Sequence, residues 1–350
     1  MGRLTLKAKL GRTGLRVPPI LFGTSCLGNL YEALAPEVKL EILRQWFACV
    51  EPAVVADSAG KYGAGLALEV IGDGLRRLGI PPADILISNK LGWKRVPLRG
   101  PEPTFEPGVW AGLRHDAEQR IGYDGILECW HQGCELLGPG YAPQLVSVHD
   151  PDEYLAAAAT ERERGRRFAD ILDAYRALHE LRQRGEVRAV GVGSKDWRVI
   201  RRIADAVPLD WVMLACSLTV YTHPRELLDF AAGLHRAGTG IINSAVFNAG
   251  FLTGGAYFDY RRPDPVADAA LFAWRERFLA VCGRFAVRPA DACVRFALSP
   301  PGVVSIALNT GRPERIRGNV ASVQAVIPDG FWLALKDAGL IARDYPYLAA

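Results

Sequence analysis

The sequence predicts one closed (β/α)8 barrel of the TIM type, with extended loops at its C-terminal face, filling residues 1–350 as a single domain. Three observations point to it. From Pro19 onward, short apolar runs alternate with longer amphipathic stretches, as βα units of a parallel sheet do. Eight such runs can be counted. No break in composition divides the 350 residues, a length that suits one large barrel with insertions.

The expected strands are Ile20–Thr24, Ala53–Asp57, Ile85–Lys90, Leu145–His149, Val187–Gly193, Trp211–Ala215, Gly240–Asn243 and Val303–Ala307. Helical stripes lie between them. Leu40, Leu43, Trp46, Phe47 and Val50 share one face, and so do Phe168, Ile171, Leu172, Tyr175 and Leu178. Glu161–Arg167 interleaves acids with arginines and reads as a solvated helix start, and Ala156–Ala159 reads as helix surface. Two connections are longer than a bare barrel needs: residues 92–107 after the third strand and 248–264 after the seventh. Both are expected above the C-terminal face, as lids.

The bulk numbers exclude several classes. With 49% hydrophobic and 23% charged residues the chain has apolar material for a large core, so disorder is not expected. A net charge of +4 without a basic stripe argues against nucleic acid as a partner. No run nears the ~20 apolar residues of a membrane span, and no signal peptide or myristoylation pattern stands at the amino terminus, so a cytoplasmic location without membrane partners is expected. The seven cysteines are scattered, without a Cys-x-x-Cys pair, and read as reduced thiols. Cys129, His131 and Cys134 lie close together but match no zinc spacing, so no metal is expected. Hydrolysis by a Gly-x-Ser-x-Gly elbow has no support either.

The chemistry sits at strand ends. Asp57, Lys90 and His149 close the second, third and fourth expected strands, and Tyr62 follows in the loop after the second. Neighbouring strands run about 4.8 Å apart, so these side chains can converge. A lysine ammonium beside a tyrosine favours the tyrosinate, an aspartate holds the lysine, and a histidine donates a hydrogen bond to a substrate oxygen. Lys61, adjacent to Tyr62, is a rival for the lysine role. Such a set moves a proton on and off an oxygen while a nicotinamide moves a hydride, which is carbonyl–alcohol interconversion.

On these residues the chain resembles the aldo-keto reductases. The family's Asp-x-x-x-x-Tyr-Gly pattern stands as Asp57 to Gly63, its strand-end lysine as Lys90 and its histidine in Val148-His149-Asp150-Pro151-Asp152. Leu10-Gly11-Arg12-Thr13-Gly14-Leu15, the segment 243–255 and Pro313-Glu314-Arg315-Ile316 extend the likeness over almost the whole chain. It is nearest the sugar-oxidising branch of L-fucose and D-threo-aldose 1-dehydrogenases, with pyridoxal 4-dehydrogenase nearby.

The resemblance implies an NAD(P)-dependent oxidoreductase of carbohydrate metabolism that oxidises the C1 hydroxyl of an aldose such as L-fucose to the lactone. Tyr62 would accept the proton. The substrate is expected to be a small molecule, an aldose or else pyridoxal or another aldehyde, with Trp93 as a sugar-stacking wall. The implied dinucleotide contacts are Gly23, Thr24, Ser194, Lys195, Phe247, Asn248, Gly250, Leu252, Asn309, Thr310, Arg315 and Asn319. At three of the family's cofactor positions this chain departs from the pattern: Leu218 stands for the nicotinamide-stacking aromatic, Lys195 for the carboxamide Asn, and Asn309 for a lysine that meets the 2′-phosphate. Losing that cation favours NAD over NADP, by about 1 kcal/mol or more at a partly buried site, while Arg312 and Arg315 could compensate. Two alternatives remain: an NADPH-dependent aldehyde or ketone reductase using the same site, and a dinucleotide-binding regulatory or redox-sensing subunit with little turnover. A short-chain dehydrogenase is disfavoured because no tyrosine is followed four residues later by lysine.

Overall fold

A computed structural model describes residues 2–259 and 261–348. Eight parallel strands close into a barrel: β1 (Ile20–Gly23), β2 (Val54–Ala59), β3 (Ile85–Leu91), β4 (Leu145–His149), β5 (Ala189–Ser194), β6 (Trp211–Ala215), β7 (Gly240–Ser244) and β8 (Val303–Leu308). Each strand pairs with its neighbours in sequence and β8 returns to β1 through Ile306–Ile20. The expected strands are all present, with ends moved by one or two residues. Apolar runs find both faces buried here, one by the barrel interior and one by the helix layer.

The period of two separates those faces. Val55, Leu86, Leu145, Trp211, Met213 and Ile242 fill the interior, whereas Val54, Ala56, Val146 and Val148 face the helices. Trp211 is fully buried, and Gly191 on β5 makes room for it: a Cβ there would lie 2.3 Å from the indole ring. A short hairpin, Ala8–Lys9 paired with Arg16–Val17, carries Leu10, Leu15 and Val17 into the same cluster and plugs the N-terminal end.

Helix α1 (Pro36–Cys49) buries Ile42, Leu43 and Trp46, α2 (Leu66–Arg77) buries Leu68, Ile71 and Leu75, and α3 (Tyr123–Leu137) buries Ile126, Cys129 and Trp130. Of the first expected stripe, Leu43 and Trp46 are buried, Leu40 and Phe47 are half-buried, and Val50 lies just past the end of α1. Helix α4 (Glu161–Gln183) opens with the charged run and packs Ile171, Tyr175 and Leu178 inward. Thr160 caps it, its hydroxyl accepting from the Glu163 N–H at 3.1 Å. That cap corrects one expectation: Ala157–Ala159 link a short helix, Pro151–Ala156, to α4 and are not helix surface. Cys129 packs in the core whereas His131 is exposed, so the two do not share a face.

Both long connections depart from simple loops. The segment after β3 runs past residue 107 to residue 122 and folds an antiparallel hairpin, Trp93–Pro97 with His115–Gln119. Arg95 fastens it to the body, pairing with Glu69 at 2.7 and 2.8 Å and donating to the Ala64 carbonyl at 2.6 Å. The segment after β7 holds one turn of 3-10 helix, Phe251–Thr253, among left-handed residues; its Tyr260 lies outside the described residues. No helix among the described residues is long and apolar enough to cross a membrane.

Candidate active site

Strand register delivers three of the four expected residues to one point. Asp57, Lys90 and His149 each stand at an even spacing from the interior residues Val55, Leu86 and Leu145 of their strands, so all three point into the mouth. Lys90 pairs in register with Ala59 on one side and Ser147 on the other, one strand from each partner. Gly193 on β5 lies alongside the lysine stem, whose Cδ is 3.7 Å from where a Cβ would stand, ordinary van der Waals contact.

Tyr62 needs a special turn. Gly28 and Gly63 lie against each other: a Cβ on Gly28 would meet the Tyr62 carbonyl at 2.6–2.7 Å, and one on Gly63 would stand 2.3 Å from the Gly28 oxygen. Gly63 is also left-handed, with φ 62°. This close approach turns the Tyr62 ring back over the mouth.

There Lys90 Nζ lies 2.6 Å from Asp57 Oδ2 and 3.2 Å from the Tyr62 hydroxyl. The His149 ring meets the Tyr62 ring edge-on, with centroids 5.6 Å apart. Asp57, Lys90 and His149 are 3–4% exposed, so the ion pair between the first two is buried. Lys61, the rival lysine, turns elsewhere and meets Glu106, Asp150 and Glu153. Asp57, Tyr62, Lys90 and His149 therefore form one cluster.

Its electrostatics differ from the expectation in one respect. Tyr62 is pushed well above the usual phenol range, first by burial and then by the Asp57 and Asp150 carboxylates, which outweigh the lowering effect of Lys61. The expected lysine is in place, yet the ring stays a phenol rather than a tyrosinate. His149 is held well below the ordinary imidazole range by burial and then by Lys90 and Lys61, and is neutral. Its Nδ1 is buried without a hydrogen-bond partner among the described residues.

The residues expected to hold a dinucleotide ring the same mouth. Thr24, fully buried after β1, binds the Asp57 carbonyl through its N–H at 3.1 Å and hydroxyl at 3.0 Å. Ser194 ends β5; its hydroxyl donates to the Asp196 carbonyl at 3.3 Å, and Lys195 beside it pairs with Glu153 at 2.6 Å. After β7, Ala245, Asn248, Ala249 and Gly250 are left-handed and fold a tight turn closed by its own backbone, the Asn248 N–H donating to the Ala245 carbonyl at 2.8 Å and the Gly250 N–H to the Phe247 carbonyl at 3.0 Å; the Asn248 side-chain amide donates to Asp259 at 3.0 Å, and Phe247 is half-buried. Leu252 is fully buried, so only its backbone faces that turn. After β8, Asn309 accepts from the Cys26 N–H at 3.3 Å, the Thr310 hydroxyl accepts from the Arg312 N–H, and Arg315 and Asn319 lie on α5 (Glu314–Ser322).

One assignment changes. Leu218 cannot stack at the mouth: it is fully buried in the apolar layer outside the barrel, and its carbonyl accepts from Asn243 at 2.7 Å. The chain leaves β6 through left-handed Cys216, which carries Leu218 outward and leaves Cys216 as the strand-tip residue. Trp93 packs on Phe105 at 5.8 Å in the aromatic cluster that also holds Tyr62, while the tryptophan whose ring lies beside Tyr62 is Trp110, at 6.0 Å. Sequence reasoning passed over Trp110 because it lies beyond the segment taken as the lid. Glu106 and Cys216 carried no pattern that marked them.

Known proteins match this chain over nearly its whole length. The model of the aldo/keto reductase family covers residues 19–339. Pyridoxal 4-dehydrogenase of Microbacterium luteolum is 30% identical over 96% of this chain and 98% of its own. D-threo-aldose 1-dehydrogenase of a Pseudomonas species is 27% identical over 94% and 96%. Among solved structures, a glycerol dehydrogenase of Gluconobacter oxydans superposes with a TM-score of 0.68 at 17% identity, covering 97% of this chain and 96% of that one, a likeness of fold. With the family model spanning the barrel from its first strand to its last helices and the cluster at its mouth, the chain belongs to the aldo/keto reductase family and is an oxidoreductase.

Proposed function

We propose that this enzyme oxidises the C1 hydroxyl of an aldose such as L-fucose to the lactone, with Tyr62 as the group that takes the proton. The observation that carries the reading is the buried Lys90 ammonium between Asp57 and the Tyr62 hydroxyl, beside a neutral His149. Two relatives similar over nearly their whole length are dehydrogenases, one of them of an aldose. The family works with NAD(P)(H).

The residues present fit such a dinucleotide. Asn248 is fully buried and its Oδ1 has no partner among the described residues; Gly250 and Gly254 have open space where a Cβ would stand. Thr24, Ser194 and Lys195 would hold the nicotinamide end, the turn around Phe247, Asn248, Gly250 and Leu252 the pyrophosphate, and Asn309, Thr310, Arg315 and Asn319 the adenosine end. Gly23 would form the floor. When bound, the dinucleotide supplies the hydride acceptor. We favour NAD, because Asn309 offers a neutral amide where a 2′-phosphate would want a cation.

The chain's own part is a proton relay. His149 donates to the sugar oxygen and fixes it near the Tyr62 hydroxyl. Tyr62, as phenolate, removes the proton, and Lys90 stabilises the negative oxygen at 3.2 Å. Asp57 keeps the ammonium aimed. Trp110 and Trp93 form the aromatic side of the pocket, where sugar C–H faces pack. We take the chain as one domain acting on small molecules in the cytoplasm.

One observation favours a second reading, reduction of an aldehyde or ketone with NADPH. The resting Tyr62 is a phenol held protonated by burial and two carboxylates, which is the state that donates a proton. An absorbance screen at the reduced-nicotinamide band decides between them, pairing each dinucleotide with L-fucose, other aldoses and pyridoxal. Faster turnover of NAD with a sugar than of NADPH with aldehydes supports oxidation; the reverse order overturns it. Tyr62→Phe must abolish either activity.

A further inference from the structure

Lys61 is a buried charge that the four-residue cluster does not use. It is 4% exposed, and its Nζ lies 2.8 Å from Glu106 Oε1, 3.1 Å from Asp150 Oδ2 and 3.1 Å from Glu153 Oε2. These carboxylates come from three places: the long segment after β3, the residue that follows β4, and the short helix Pro151–Ala156. Each leads on to the mouth. The other oxygen of Glu106 accepts from the Trp110 indole N–H at 2.7 Å, and the Trp110 ring lies 6.0 Å from that of Tyr62. The Asp150 oxygen that meets Lys61 is also 3.4 Å from His149 Nε2, too long for a strong hydrogen bond. Glu153 uses its second oxygen for Lys195, at 2.6 Å.

The arrangement costs desolvation, so it persists only with good geometry on every partner. Glu106 and Asp150 are also left-handed, with φ 44° and 45°, a conformation that residues bearing a Cβ adopt rarely and that clusters at functional sites. Two uncommon backbone conformations thus aim two carboxylates at one ammonium.

We propose that Lys61 is a positioning residue, setting the Trp110 ring against Tyr62 through Glu106 and holding the Asp150 carboxylate away from His149, so that the imidazole is left for the substrate. The inference rests on the reading of Tyr62 and His149 as the groups that meet substrate. The charged groups around His149 are Asp57 and Lys90 from β2 and β3, Lys61 from the loop after β2, Asp150, Asp152 and Glu153 beyond β4, Lys195 after β5, and Glu106 from the segment after β3. Removing Lys61 subtracts a positive charge from this set and frees Asp150 to approach the ring. The imidazolium then becomes easier to form.

Steady-state kinetics over pH test this, using the fastest substrate from the aldose and pyridoxal panel. Lys61→Met should raise substrate KM by about tenfold to a hundredfold, the scale of a misplaced site, and add an ionisation on the acid side of kcat/KM that the parent enzyme lacks. Lys61→Arg should restore both, and dinucleotide Kd should stay unchanged. If Lys61→Met fails to fold, Glu106→Ala decides, because it removes the link between Lys61 and the Trp110 indole and leaves both aromatic rings intact; KM must rise. Unchanged KM and pH profile in these variants, with Tyr62→Phe inactive, overturn the inference alone. Retained activity in Tyr62→Phe overturns the site and the inference together.

Discussion

The two ends of the barrel are made by the same eight strands and follow opposite rules. At the N-terminal end, Leu10, Leu15 and Val17 of the hairpin close over Leu21, Val55, Leu86 and Trp211, an apolar plug whose buried polar exception is the Trp211 indole N–H. At the C-terminal end, two lysines, His149 and Asp57 are buried within reach of one another, and Asp57 Oδ1, His149 Nδ1, Asp152 Oδ1 and Asn248 Oδ1 have no partner among the described residues. Backbone conformation divides the same way. Of the left-handed residues other than glycine, Asn29, Tyr31, Ala64, Glu106, Asp150, Cys216, Ala245, Asn248, Ala249 and Asp259 follow strand C-termini, and only Ala286 lies elsewhere among the described residues. Buried charge and unusual backbone are affordable at one end because the other end and the helix layer over-determine the barrel.

That contrast is sharpest under substitution. Tyr62→Phe should lower kcat by about 10²–10⁴-fold, the usual worth of a positioned acid–base group, while thermal denaturation is nearly unmoved. At the opposite end, Trp211→Ala should do the reverse. It empties the barrel centre and costs about 3–5 kcal/mol of stability in a denaturant titration, with kcat per folded molecule retained. A large loss of kcat from Trp211→Ala, or of stability from Tyr62→Phe, breaks the division.

The pH dependence probes the mouth alone. Since Tyr62 is held above the usual phenol range, the phenolate that oxidation needs is scarce at neutral pH, so kcat/KM for oxidation should climb as pH rises toward the alkaline range. Reduction uses the phenol and should stay flat over that interval. Because His149 is held below the ordinary imidazole range, neither direction should show a histidine ionisation near neutrality. An oxidation rate independent of pH would contradict the raised phenol. The smallest effect is expected at the rim: Asn309 is exposed, so Asn309→Lys should shift the NADP to NAD ratio of Kd by about 1 kcal/mol or less, less than about fivefold, read from titrations with each dinucleotide.

The amino-acid sequence by itself determined the barrel and the cluster at its mouth. Apolar runs of the length from Ile85 to Lys90 have one stable place in an α/β fold, and a period of two then dictates that Asp57, Lys90 and His149 share the interior face with Val55, Leu86 and Leu145. Local pattern is enough there because adjacent strands are neighbours in both sequence and space. Only the tertiary structure decided which lysine meets the Tyr62 hydroxyl, that Cys216 rather than Leu218 stands at the tip of β6, and that Trp110 is the tryptophan beside Tyr62. Those outcomes depend on long-range approach and on left-handed turns at residues such as Glu106 and Cys216, which bear a Cβ and carry no glycine signal in the sequence. The protonation of Tyr62 belongs with them: it follows from how many carboxylates gather around one buried ring, and they arrive from segments up to 88 residues away.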